Sequence, residues 1–343
     1  MSVTASDRVT ATTLQTGEGA SSAPVQGAPA AARAAATAPP AGVAQPGPAA
    51  TGVRPGRLGS LLANLPFLGM HASVLLVIWA GISWELVAIC LASYYVRMFA
   101  ITAGYHRYFA HKSYKTSRVF QFLMGLLGTT ALQKGPLWWA AHHRYHHRYS
   151  DTEHDIHSPT RQGFFWAHMG WVMSPAFDAT EWERIRDLRS YPELRWLNRW
   201  HLVPFVCASA IVFFAFGFEV FVWGCLVSTV LLWHGTYTIN SLCHMWGRRV
   251  YETGDTSRNS FLLALITLGE GWHNNHHYYP ASANQGFRWY EIDISYYVLW
   301  LLEKLGLVWD LKRAPEEVVA GRRGRRSYLV TADEEQAPPA AVA

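Results

Sequence analysis

The feature that most constrains this chain is a set of four long runs almost without charge. Residues 65–82, "LPFLGMHASVLLVIWAGI", carry none, and residues 86–105 carry only Arg97. Residues 200–218 and 220–247 are uncharged apart from histidine. A membrane-spanning helix needs about 20 predominantly apolar residues, with roughly 17 as the lower limit, so all four qualify. The connections "SWE" around Glu85 and "GFE" around Glu219 are too short for anything but a turn, which gives two hairpins. Neither connection holds a Lys or Arg. Arg54, Arg57, the 107–199 segment and the "GRRGRR" run lie on the other side. The excess of Lys and Arg in cytoplasmic loops then predicts both termini and the 107–199 segment in the cytoplasm.

Composition agrees. Of 343 residues, 50% are hydrophobic, 14% aromatic and 15% charged, against roughly 25% charged in ordinary globular domains. This excludes a disordered chain, a disulfide scaffold and a coiled coil. The net charge of +5 is too diffuse to indicate nucleic acid. Cys90, Cys207, Cys225 and Cys243 all fall in apolar runs and read as buried free thiols. Residues 1–57 lack Phe, Tyr, Trp and Ile and are rich in Ala and Pro, so they read as a disordered tail. Residues 313–343 read likewise, leaving 58–312 as the folded domain. The apolar runs 119–132 and 261–269 are too short to span, and read as helices at the cytoplasmic interface.

The chain holds 16 histidines, and most of them cluster. "HRYFAH" supplies His106 and His111 where the second span ends. "HHRYHH" supplies His143, His146 and His147 in the cytoplasmic segment, and "HNNHH" supplies His273, His276 and His277 after the fourth span. Run 220–247 is long enough for its last turns to leave the hydrocarbon. Asn240 and His244, four apart, share a face of that protruding end. All clusters therefore fall on one side at one depth, although the spans were assigned without them. In HxxHH the residues at i, i+3 and i+4 project from one helix face. The total is nine imidazoles. One metal ion cannot take nine protein ligands, whereas two ions of coordination number five or six can. All-imidazole sites suit Zn, Cu, Fe or Ni. Zinc prefers four ligands, and structural zinc uses cysteine, so iron fits better. Zinc is expected in both positions of overexpressed material, because it outcompetes ferrous iron. His71, His168, His201 and His234 stand alone and read as core.

These motifs resemble the three histidine boxes of the membrane fatty acyl desaturases, of the stearoyl-CoA or delta-9 type and of a bacterial-looking kind. The resemblance runs from about residue 65 to 310 and rests on "TAGYHRYFAH", "HHRYHHRYSDTEHDIHSP", "GEGWHNNHH" and "NSLCH". It implies nine iron ligands: His106, His111, His143, His146, His147, His244, His273, His276 and His277, with Asn240 holding a water near one iron. His142 is extra. Asp155 and His157 fall at a "DPH"-like element and are expected to support the ligands from behind. Animal acyl-CoA enzymes typically carry Arg-Asp before the second box. Here Ala141 and His142 stand there, so a glycerolipid or a carrier-protein thioester joins acyl-CoA as the expected substrate. Gln133 and Trp139 match the family, and Lys134, Arg161 and Arg186 are candidate headgroup cations.

The expected fold is an all-α integral membrane protein with four transmembrane helices in two hairpins and a cytoplasmic helical cap holding a histidine-rich di-iron site. The expected reaction is O2-dependent removal of two hydrogens from adjacent methylenes, giving a cis delta-9 double bond. An unactivated C–H bond has no acidic proton, so the oxidant must form at the metal while the protein positions the chain in an apolar tunnel. No haem, flavin or iron–sulfur motif is present, so two electrons must come from a separate ferredoxin-like or cytochrome-like donor with its reductase. The Arg-rich cytoplasmic face would steer such a donor, which is commonly acidic. The setting is the bacterial inner membrane, in contact with lipid. Cys90 and Tyr94, roughly 24 and 18 Å before His106 along the second span, are expected to line the closed end of the tunnel. A di-iron hydroxylase or alkane monooxygenase is the alternative enzyme. A membrane metal transporter is the alternative of another class.

Overall fold

The computed structural model describes residues 57–321, with side chains from residue 62. The expected N-terminal tail lies outside the described residues apart from its last position, and so do residues 322–343. Among the described residues the chain is mostly helical. Three helices are long and apolar enough to cross a membrane: α1 (Leu62–Ala80), α2 (Trp84–Ala110) and, later in the chain, α7 (Phe218–His244). Gly81, at φ +68°, ends α1. Ser83 restarts the chain as the N-cap of α2, accepting a hydrogen bond from Leu86 N at 3.3 Å.

Between α2 and α7 come α3 (Arg118–Thr129), α4 (Pro136–Tyr149), α5 (Pro192–Arg199) and α6 (Val203–Phe216). The third expected span differs from its prediction. α6 has 14 residues, about 21 Å at 1.5 Å per residue, too short to cross roughly 30 Å of hydrocarbon. It reaches spanning length only together with α5, from which it is bent by 67°. The physical reason is Pro204, at the start of α6, which cannot continue the ladder of a preceding helix. Gly217, at φ +91°, turns the chain into α7. α7 ends at His244 and not at Gly247, which has φ +130°.

After α7 follow α8 (Phe261–Ile266), α9 (His273–Tyr278), α10 (Ile294–Lys304) and α11 (Glu316–Val319). A two-residue antiparallel pair, Lys115–Thr116 with Val308–Trp309, ties the end of α10 back to the chain after α2. The expected C-terminal tail begins too early in the sequence reading. Residues 313–321 are folded: Val318 is fully buried against Tyr251 and Tyr278, and Arg313 lies over the Tyr296 ring. Two adjacent valines in a nine-residue stretch with three charges give no periodicity to detect. Of the four free cysteines, Cys207 is exposed on α6, where the sequence predicts burial.

α2 and α7 run side by side in the same direction and carry the site. Ser93 Oγ donates to Gly224 O at 2.6 Å, and Arg97 donates to Thr229 Oγ1 and Ser228 Oγ. Both helices widen into π-helix, over Ala100–Ala110 in α2 and Val222–Val227 in α7. The main buried cluster lies along this contact and continues under α4, with Met98, Ile101, Tyr105, Leu137, Leu194 and Trp233 among its members.

Candidate metal centre

Each histidine box reaches the centre on its own element. His106 lies in the π-helical part of α2, and His111 caps that segment. Pro136 opens α4, which carries His143, His146 and His147. His244 closes α7, and α9 carries His273, His276 and His277. The nine imidazoles form two groups, each with ligand atoms within 4.8 Å of one another. One group is His106, His111, His143, His147 and His276. The other is His146, His244, His273 and His277. In both HxxHH boxes the i and i+4 residues enter one group and the i+3 residue the other. At about 100° per residue, i and i+4 differ by about 40° while i+3 leans the opposite way, so α4 and α9 each straddle the two groups.

The facing atoms are Nε2. His143 and His111 approach Nε2 to Nε2 at 2.8 Å, His106 and His276 at 3.0 Å, His276 and His147 at 2.9 Å, and His244 and His273 at 3.0 Å. Adjacent ligands at about 2.05 Å from one ion, roughly 90° apart, would be about 2.9 Å from each other. His277 Nε2 is buried without a hydrogen-bond partner. A buried polar nitrogen left bare is costly, and a metal in the four-histidine group would satisfy it. The residues fit a pair of metal ions.

The opposite ring nitrogens reveal residues that the boxes alone do not. His106 Nδ1 pairs with Glu270 at 2.5 Å, His146 Nδ1 with Asp155, His244 Nδ1 with Asp151 and His277 Nδ1 with Asp255, the last three at 2.9 Å. Each such carboxylate fixes the tautomer and orientation of its imidazole. His157 stacks on His146 with ring centroids 4.2 Å apart. Asp151, Asp255 and Glu270 went unread, although Asp151 and Glu270 lie within the quoted motifs.

Electrostatics keep five of the imidazoles in the neutral form that binds metal, whereas at His146 burial is outweighed by Asp155, which raises it. Burial first, then the neighbouring imidazoles, push His111, His143, His147, His273 and His276 well below the ordinary histidine range. Burial alone would raise the Asp255 and Asp155 carboxyls. Their imidazole partners and hydrogen bonds outweigh it and hold both well below the usual range.

A cavity of about 560 Å³ opens onto both groups through His106, His143 and His273, with Asn240 and Glu270 in its wall. Its inner wall is apolar, with Met98, Ile101 and Trp233, and its other end carries Lys134, Asp178 and His201. Gln133, Lys134 and Trp139 line it. Gln133 donates to Thr236 Oγ1 at 2.7 Å, and Trp139 stacks on His143 at 4.8 Å. Three expected substrate contacts are not on this wall. Tyr94 packs one turn behind Met98, its hydroxyl donating to Ile266 O at 2.9 Å. Cys90 lies in a separate apolar cluster with Val222 and Leu226. Arg161 turns away, its Nε donating to Asp151 O at 3.1 Å. Distance along a helix axis does not say which face meets the cavity, and that face belongs to Met98 and Ile101.

The lone histidines take no part in either group. His71 Nε2 meets His234 Nε2 at 3.2 Å, and His234 Nδ1 meets His168 Nε2 at 3.0 Å, so the three link α1, α7 and the π-helical segment Trp166–Gly170. His201 is not core but cavity wall.

Fold and site together define a helical protein with three helices long and apolar enough to cross a membrane, and two histidine groups, each able to hold a metal ion, that open onto one cavity. A family model for fatty acid desaturases matches residues 82–311. The chain is 38% identical over 240 residues to an acyl-CoA C20 Delta5-desaturase of Anemone leveillei, covering 69% of this chain and 76% of the relative. It is 36% identical over 233 residues to delta-9 acyl-lipid desaturase 2 of Arabidopsis thaliana, covering 67% and 76%. It is 34% identical over 257 residues to an sn-1 stearoyl-lipid 9-desaturase of Anabaena variabilis, covering 74% and 94%. The chain belongs to the fatty acid desaturase family and is an oxidoreductase.

Proposed function

We propose that the chain is an O2-dependent desaturase that introduces a cis delta-9 double bond into a saturated fatty acyl chain carried as a CoA thioester or a glycerolipid ester. The observation that carries this reading is the cavity of about 560 Å³, with Met98, Ile101 and Trp233 in its wall, onto which both histidine groups open through His106, His143 and His273. Delta-9 relatives support the bond position, while delta-5 and delta-7 relatives make it the point to test.

His106, His111, His143, His147 and His276 would hold one iron and His146, His244, His273 and His277 the other, with Asn240 retaining a water beside His273. Bound iron would supply the one-electron chemistry with O2 that an unactivated C–H bond requires. The chain's own residues do the rest. Glu270, Asp151, Asp155 and Asp255 hold four ligands in one tautomer. Trp139 fixes the His143 ring by stacking. Met98, Ile101 and Trp233 exclude water and fix the depth of the acyl chain, so that one methylene pair faces the metals. Lys134, paired with Asp178 at the cavity mouth, is the charge available to a headgroup.

Glu85 and Glu219 mark one end of the long helices, and the histidine groups with exposed Arg148, Arg248 and Arg249 mark the other. The excess of positive charge makes that second end cytoplasmic, with the bent α5–α6 pair completing two hairpins. The same arginines would steer an acidic electron donor. The test is fatty-acid profiling of a bacterial host expressing the chain, with elemental analysis of the purified protein. About two Fe per chain and a new delta-9 monoene support the reading. A hydroxylated product assigns a hydroxylase, and an unchanged profile with no bound iron overturns the proposal.

A further inference from the structure

The two histidine groups differ in what stands behind them. In the four-histidine group three of four Nδ1 atoms face carboxylates: Asp155, Asp151 and Asp255, each at 2.9 Å. Neutral donors meet the remaining valences of these carboxylates. Asp151 accepts from Ser158 Oγ at 2.6 Å and from Thr256 N and Oγ1 at 2.7 Å. Asp155 accepts from Asp151 N at 2.8 Å and His157 N at 3.3 Å. Asp255 accepts from Thr253 Oγ1 at 2.8 Å and from Ser257 N and Oγ at 3.0 and 2.5 Å. No lysine or arginine among the described residues forms an ion pair with any of the three. Arg161 reaches only the Asp151 carbonyl.

The five-histidine group has one carboxylate, Glu270 on His106, and that charge is already spoken for. Fully buried Arg107 donates to Glu270 Oε1 through Nη2 at 3.1 Å and Nε at 3.3 Å, and to Asp293 Oδ1 at 2.9 Å. None of His111, His143, His147 or His276 is paired to a carboxylate among the described residues. Counting formal charge with a divalent ion in each group, Glu270, Asp293 and Arg107 leave the five-histidine side at plus one. The three aspartates leave the four-histidine side at minus one. At low effective dielectric such a difference is poorly screened.

We infer that Asp151, Asp155 and Asp255 make the two subsites unequal. The four-histidine subsite, despite having one ligand fewer, binds a divalent cation first and better stabilises the higher oxidation state. This rests on the metal-centre reading above. Removing the partner behind a ligating histidine typically costs 10–100-fold in metal affinity. Three such partners against one shared with an arginine give an expected separation of about 100-fold or more.

The test is titration of the full-length apo protein in detergent with Co2+, followed by its visible absorption. Wild type should fill in two phases. His147→Ala should keep the tight phase and lose the weak one, and His273→Ala should do the reverse. Asp255→Asn and Asp151→Asn, which preserve shape, should each weaken the tight phase about 10–100-fold and leave the other unchanged. In iron-loaded protein they should raise the midpoint potential of one iron only, a readout that loose packing alone would not move selectively. Two phases of equal affinity, or a tight phase that survives His273→Ala and vanishes in His147→Ala, overturn the inference. Failure to bind any metal overturns the metal-centre reading itself.

Discussion

Arg107 is the largest fully buried side chain among the described residues, and removing its charge gives a quantitative test. Its guanidinium is fully buried, with side-chain exposure of 1%, between Glu270 at 7% and Asp293 at 0%. It also donates to Ala283 O at 2.8 Å. Asp293 in turn caps α10 by accepting from Tyr296 N at 3.0 Å and takes Gln285 N at 2.7 Å. Arg107→Met keeps the apolar stem but leaves two buried carboxylates without a counter-charge. Breaking a buried pair from one side costs about 3–5 kcal/mol. For a folded region of this size roughly 1 kcal/mol moves the melting temperature by about 2–4 °C, so the apo protein should melt about 6–20 °C lower. The deficit should shrink toward pH 5, because a stranded carboxyl gains stability by taking a proton. Adding Glu270→Gln and Asp293→Asn to Arg107→Met should recover part of the loss, since no uncompensated charge is then left. Thermal scans in detergent by intrinsic fluorescence measure all three. A single variant melting within about 2 °C of wild type would refute the reasoning.

Gly128→Ala should destabilise by about 1–3 kcal/mol, read by the same scan, because its Cβ would lie 2.2 Å from the Tyr105 ring next to His106. Met98→Ala should shift preference toward longer acyl chains in a competition between two chain lengths. Tyr94→Phe should leave that ratio unchanged and lower stability by about 1 kcal/mol through its lost hydrogen bond. The apo protein should lose stability as pH falls below about 6.5. His111, His143, His147, His273 and His276 stay neutral when folded while the unfolded chain takes up protons. Melting temperatures at pH 7.5 and 5.5 measure this, and an equal or higher value at pH 5.5 contradicts it.

The two longest spans and the nine imidazoles were legible because both are written in short-range pattern. Run length sets α2 and α7, and i, i+3, i+4 spacing sets α4 and α9. What was not legible depends on folding at long range. Asp255 reaches His277 across 22 residues and Asp151 reaches His244 across 93, and nothing local distinguishes them from surface acids. The same holds for the cavity wall. Met98 and Tyr94 are four apart on α2, and Gly235 of α7 decides their roles. A Cβ there would lie 2.5 Å from the Tyr94 hydroxyl and 3.0 Å from Met98 Cε, so both side chains press into the gap this glycine leaves. The bend at the start of α6 is visible as Pro204, but the sequence does not set its 67° angle.

The first box differs from the other two, and its spacing has a structural cause. Five residues apart on an α-helix, two side chains diverge by about 140°, so His106 and His111 would not share a metal. The segment from Ala100 to Ala110 is π-helix, in which the hydrogen bond runs from i to i+5 and residues five apart lie nearly above one another. His111 N donates to His106 O at 3.1 Å, and the two rings meet with centroids 4.8 Å apart. The HxxxxH spacing therefore matches a widened helix, as HxxHH matches an ordinary one. The widening has a cost, since π-helix is rare and less favourable than α. Packing offsets it here, for ten of the eleven π-helical residues are buried. The site thus depends on the close approach of Tyr105 to Gly128 and on the Arg107 network. Both hold the segment in the one helical form that lets α2 bring two imidazoles into the same group.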